Sequence, residues 1–216
     1  MSWLNVKPAA RLDPWIRVPL AWPELGLEDV EIAQTPQAWA RAIAEEWWED
    51  FATEKPRLGD VDLLTDILAM HAERAPAIRP DAEVFLHMPH PRDIPLTVFV
   101  ELVEIEEEDR DTALRELAQA DASDAIELPI VEDFESPHLG TGLRVLRYVQ
   151  DEDSNEVHAG LRYAWRYEKG SGAMDVLIFL AHPDPGRIIR ASLDIDEFAR
   201  TIRISSEEEK DAWGVA

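Results

Sequence analysis

Four runs rich in β-branched and aromatic residues follow one another from Gly142 onward, and they constrain the fold more than anything else in the chain. "GLRVLRYVQ" is separated from "VHAGLRYAWRY" by the polar turn "DEDSNE". "AMDVLIFLAH" follows across "EKGSGA", and "RIIRASL" across "PDPG". Strand-type runs broken by strong turn signals at short intervals predict an antiparallel meander over Gly142–Leu193. "DIDEFARTIRI" then predicts a short helix and a possible last strand.

Upstream the period changes. Thr35 followed by Pro36 has the form of a helix start, a capping hydroxyl before a proline at the first helical position. Trp39, Ile43, Trp47 and Phe51 recur every four residues, with Ala40, Ala44 and Trp48 as the neighbouring row. At 100° per residue these rows cover half a helix, which puts Trp47 inside the apolar stripe and Trp48 at its margin. Glu45, Glu46, Glu49 and Asp50 take much of the remaining surface. A second helix is predicted from about Val61 to Ala75, capped by Asp60 and closed by Pro76, with Leu63, Leu64, Ile67, Leu68 and His71 on its apolar side. "AEVFLHMP" and "LTVFVELVEI" read as strands, Asp111–Ala120 as a helix, and "AIELPIV" as an edge strand because Pro129 lacks an amide donor. Blocks of strands and helices without regular alternation indicate an α+β fold, an antiparallel β-sheet covered by α-helices. The expected organisation is an irregular arm rich in proline and tryptophan over residues 1–34, packed on the domain through Trp3, Trp15 and Trp22. One α+β domain over 35–204 and an acidic tail over 205–216 complete it.

The last two-thirds resembles the PsbP-like family, photosystem accessory proteins and related actinobacterial proteins. The likeness spans roughly residues 80–204 and is carried by "LGTGLRVLRYV", "HAGLRYAWRY", "MDVLIFLAHPD" and "DIDEFARTI". It implies an antiparallel sheet sandwiched between helices and a non-catalytic accessory or binding role. The acidic helix around Trp47 and the lack of a lipid-attachment cysteine set this chain apart from secreted members.

Charge bounds the partners. The net charge is −24, and residues 24–136 carry thirty acidic against eight basic side chains, a net of −22. Residues 1–23 sum to +2, residues 137–204 to −1 and the tail to −3. Such a field repels nucleic acid and anionic lipid and favours a basic protein partner; it also serves solubility. There are no cysteines, which excludes disulfides, thiolate metal sites and a cysteine nucleophile. No run approaches the roughly 18 apolar residues of a membrane span, so a cytoplasmic protein is expected.

Catalytic signatures are lacking. His87 and His90 in "HMPHP" sit among prolines, and a zinc site wants three or four ligands. His138, His158 and His182 would have to converge across the meander. Glu106–Asp109 reads as a solvated helix start, "HLGTG" (His138–Gly142) as a turn without a phosphate-loop lysine, and Ser171 as part of a hairpin turn. No catalytic residue, cofactor or metal is therefore assigned. Two partner-binding groups are. Trp48 with Glu45 and Glu49 forms an aromatic residue ringed by carboxylates. Arg144, Arg162 and Arg166 are the residues of a basic patch on the sheet, or else members of cross-strand and sheet-to-helix ion pairs. The expected function is a non-enzymatic accessory or protein-interaction protein. The alternative is a small-molecule binder or enzyme with a pocket between sheet and helices, where the histidines and arginines would meet.

Overall fold

The computed structural model describes residues 6–7, 14–19, 35–50, 60–105, 110–151, 154–169 and 172–204. Trp3, Trp22, Phe51, Glu106–Asp109, Ser171 and the tail beyond residue 204 lie outside the described residues. The elements are β1 (Val6–Lys7), β2 (Trp15–Val18), α1 (Pro36–Asp50), α2 (Val61–Ile78), β3 (Glu83–His87) and β4 (Leu96–Glu104). Then come α3 (Arg110–Leu117), β5 (Ile130–Ser136), β6 (Gly140–Gln150), β7 (Val157–Lys169), β8 (Gly172–His182), α4 (Pro185–Thr201) and β9 (Arg203–Ile204). The fold class is α+β. The chain forms two compact units, one of Asp13–Val98 and one of Met1–Leu12 with Phe99–Ala216.

In the Asp13–Val98 unit α1 starts as its sequence dictates, with the Ala38 amide donating to the Thr35 hydroxyl at 3.1 Å. It buries Trp39, Ala40, Ala44 and Trp47, and it packs against α2. Asp60 caps α2, accepting from the Leu63 amide at 2.9 Å. The expected stop at Pro76 is corrected: the helix passes through it to Ile78. Proline deletes one intrahelical bond, and the Arg79 amide donating to the Ala75 carbonyl at 3.1 Å closes the final turn instead. The apolar stripe is also rotated from the expected one. Leu64, Leu68, Ala72 and Ala75 point inward, whereas Leu63 is exposed. β2 pairs antiparallel with β3, Trp15 opposite His87 and Val18 opposite Val84. Every residue of β3 is buried, including Glu83, whose carboxylate accepts two bonds from the Arg17 guanidinium at 2.8 and 2.7 Å.

In the other unit the strands run in the order β4–β8–β7–β6–β5, all antiparallel. The meander is present from β6 to β8, with one correction: "RIIRASL" is not a fourth strand but the first half of α4. Asp184 accepts the Gly186 amide at 2.9 Å and Pro185 stands in the first turn. Ile188, Ala191, Ile195, Phe198 and Ala199 repeat at helical spacing and are all buried. α3 is shorter than expected, ending at Leu117, with Gln119 in the left-handed region at φ 56°. β5 begins after Pro129 rather than across it.

Strand register settles what faces what. Tyr163 is opposite Arg144 on β6 and Ile178 on β8, and this face lies under α4. Ala164 is opposite Leu143 and Leu177 on the reverse face, where Ala118, Ala120, Val145 and the α3 residues Leu114 and Leu117 complete an apolar cluster. The unit's sheet therefore carries a helix on each side. β1 pairs with β9, Val6 opposite Ile204.

Gly142 is required by this packing. A Cβ there would collide with the Ala164 carbonyl oxygen and the Trp165 indole. Gly142→Ala is expected to cost about 1–3 kcal/mol by overpacking. Thermal melts showing the variant as stable as the parent would mean that the ring is not held over the glycine.

Candidate functional site

The acidic surface of α1 is laid out as the helical period predicts. Glu45, Glu46 and Glu49 are exposed, and Trp48 is half-buried beside the buried Trp47. Glu45 is engaged within the unit: the Arg41 Nε donates to it at 2.6 Å, and the same guanidinium pairs with Asp62 on α2. Glu49 has no partner among the described residues.

The three sheet arginines do not form one patch. Val145, not Arg144, lies opposite Arg162, so Arg144 shares the Tyr163 face while Arg162 and Arg166 are on the reverse. A shift of one residue between strands moves a side chain to the other face, and sequence spacing does not fix that register. Each arginine is used where it sits. Arg144 donates to Glu132 at 2.8 Å across the β5–β6 pair and to Asp196 of α4 at 3.1 Å. Arg162 donates to the Leu117 carbonyl at 3.1 Å and lies over the Phe179 ring. Arg166 makes two bonds, each 3.0 Å, to the buried Asp175 of β8.

Nor do the three histidines His138, His158 and His182 gather at one point. His138 is exposed in the turn before β6, while His158 pairs with Val149 near the far end of that strand. At about 3.4 Å per residue the two ends are roughly 30 Å apart. His182 lies opposite Ala159, adjacent to His158 and within its electrostatic reach, so these two are neighbours and His138 is apart from them. Burial lowers the His182 pKa and favours the neutral ring, whose Nδ1 accepts the Asp184 amide at 2.9 Å. His87 is buried against Trp15, and His90 Nδ1 accepts the Arg92 amide. Among the described residues no three histidine or carboxylate side chains gather as a metal would need.

Two polar networks escape sequence reasoning because their members are far apart along the chain. In the first, Tyr163 donates its hydroxyl to Asp196, which also receives Arg144. Burial first, then Asp196, raises the Tyr163 pKa strongly, so the phenol is a neutral donor that ties β7 to α4. Phe134 stands edge-on to Tyr163 and Trp165, with Arg200 over its other face. On this face Tyr163 and Trp165 are fully buried and stacked on each other. In the second network the buried Arg147 donates to Gln119 and to Asp124, and the bond from Arg147 lowers the Asp124 pKa.

Two open hollows carry polar linings. One of about 440 Å³ is bounded by Thr112, Arg115, Glu116, Gln119, Asp121 and Ala122. The other, about 510 Å³, lies at the α1–α2 junction around Thr35, Gln37, Arg41, Asp62 and Asp66. In each, the arginine is already bonded to a carboxylate of the same lining, Arg115 to Asp121 and Arg41 to Asp62. No helix among the described residues is long and apolar enough to cross a membrane. A scan against protein-family models finds no match for the chain, and a search of the curated proteins finds none.

Proposed function

We propose that this chain is a non-enzymatic cytoplasmic accessory protein, the role implied by its likeness to the PsbP-like family, and that its acidic surface docks a basic protein partner. One observation carries the reading. On α1 the partly buried Trp48 borders the side of the helix that carries the exposed carboxylates of Glu45 and Glu49, in a chain of net charge −24. A partly buried aromatic residue beside charge is an economical anchor, because little side-chain freedom remains to be lost on binding. The surrounding field speeds encounter with a cation and disfavours nucleic acid.

The test uses a partner recovered by pull-down from native cells, with association rates measured across a salt series. The rate is expected to fall as ionic strength rises through about 0.15 M, where charges are screened beyond about 8 Å. Trp48→Ala is expected to raise the dissociation rate, and Glu49→Lys to slow association. A rate flat with salt, together with unchanged affinity for Trp48→Ala, would reduce the acidic surface to a solubility device.

A further inference from the structure

β5 is the outermost strand of its unit, and no described strand pairs with its outer side. An open strand edge leaves alternate backbone N–H and C=O groups unpaired, ready for another extended chain. Such edges are commonly blunted by proline, charge or a bulge, and this one has all three. Pro129 precedes it, and Glu132, Asp133 and Glu135 are exposed along it. The bulge follows from the register. Ala125 bridges to Val149 and Ile130 to Leu146, so the four residues 126–129 oppose only Arg147 and Tyr148.

These devices act against some occupants and not others. A second copy of the chain would bring the same carboxylates opposite one another, and like charges directly opposed destabilise a strand pair. Blunting does not account for what the bulge displays: Leu128 is 92% exposed, and Ile126 and Ile130 are each 49% exposed. Three large aliphatic side chains thus stand at one end of an unpaired edge whose other end is acidic. Glu132 is bonded to Arg144 and Glu135 to the Thr141 hydroxyl, whereas Glu127 and Asp133 have no partner among the described residues.

We propose that β5 is a strand-addition site for an extended cationic segment of a partner protein. The segment's backbone would pair with the open edge, its apolar side chains would cover Ile126, Leu128 and Ile130, and its lysines or arginines would meet Glu127 and Asp133. Backbone pairing supplies the affinity of such additions and alternate side chains supply the selectivity. The proposal rests on the basic-partner reading for the sign of the charge alone; it places the contact on a different surface from α1.

The experiment uses the full chain and a fluorescein-labelled nonapeptide of alternating lysine and valine. The control is the same peptide with every backbone amide N-methylated, which keeps the charge and removes the hydrogen-bond donors from both strand edges. Binding is read by anisotropy and the footprint by amide hydrogen exchange. The unmodified peptide is expected to bind and to slow exchange within residues 126–136. N-methylation, and separately the double substitution Glu127→Lys/Asp133→Lys, is expected to weaken it about tenfold or more. Equal binding of the N-methylated peptide, or no binding of the unmodified one, overturns the proposal. Protection confined to residues 45–49 overturns it too, while supporting the basic-partner reading on α1.

Discussion

Arg166→Met is expected to lower the free energy of unfolding by about 3–5 kcal/mol, and adding Asp175→Leu should recover most of that loss. The carboxylate of Asp175 is 1% exposed on a central strand. It lies directly opposite Arg166, and both its oxygens accept guanidinium bonds of 3.0 Å. Removing the cation leaves a buried carboxylate without the guanidinium that pairs with it. Removing both partners in favour of aliphatic side chains of similar volume replaces an ion pair by packing, which is often neutral or stabilising. Urea titrations of the parent, the single and the double variant check this. A single variant within about 1 kcal/mol of the parent, or a double variant no better than the single, would show that Asp175 does not depend on this partner.

The second large effect concerns α1. Trp47→Ala should destabilise by about 3–5 kcal/mol, since a nearly buried indole is exchanged for a cavity. Trp48→Ala should cost clearly less, because that ring is less buried than Trp47. Denaturant titrations giving the opposite order would mean that the helix is turned about its axis. The difference also protects the interaction test, since Trp48→Ala then remains folded enough for its binding to be interpreted.

The features legible in the sequence were those governed by neighbours along the chain. Thr35 and Asp60 cap their helices because a short oxygen-bearing side chain before a helical run can do little else. Trp39, Ala40, Ala44 and Trp47 are buried because their spacing matches the helical period. Misreadings arose where two local signals competed. Ile188 and Ile189 favoured strand, but Asp184 and Pro185 start a helix, and burial of Ile188, Ala191 and Ile195 on one side decides the matter. Pro76 reads as a stop, yet near a helix end it removes only one bond. The arrangement of the arginines was not legible at all. Which side of the sheet Arg144 occupies depends on its pairing with Tyr163, and Asp196 reaches both from an element some thirty to fifty residues away. The α1 surface could be drawn from periodicity, and Pro129 marked an edge strand, whereas the bulge and the pairing of β5 with β6 required the register.

The short β1–β9 ladder bears on the order of assembly. Val6 and Ile204 are nearly two hundred residues apart, and bringing such distant points together costs about 5 kcal/mol of chain entropy for a free coil. Two residues of backbone pairing return far less than that, at about 1 kcal/mol per bond. The hairpins from β5 to β8 close over a few residues each and carry long ladders, so their contacts are local and quick to form. The pairing of β1 with β9 becomes favourable only after the intervening chain has been drawn together. It is a late clasp, which selects among nearly finished arrangements and leaves the early events to the meander.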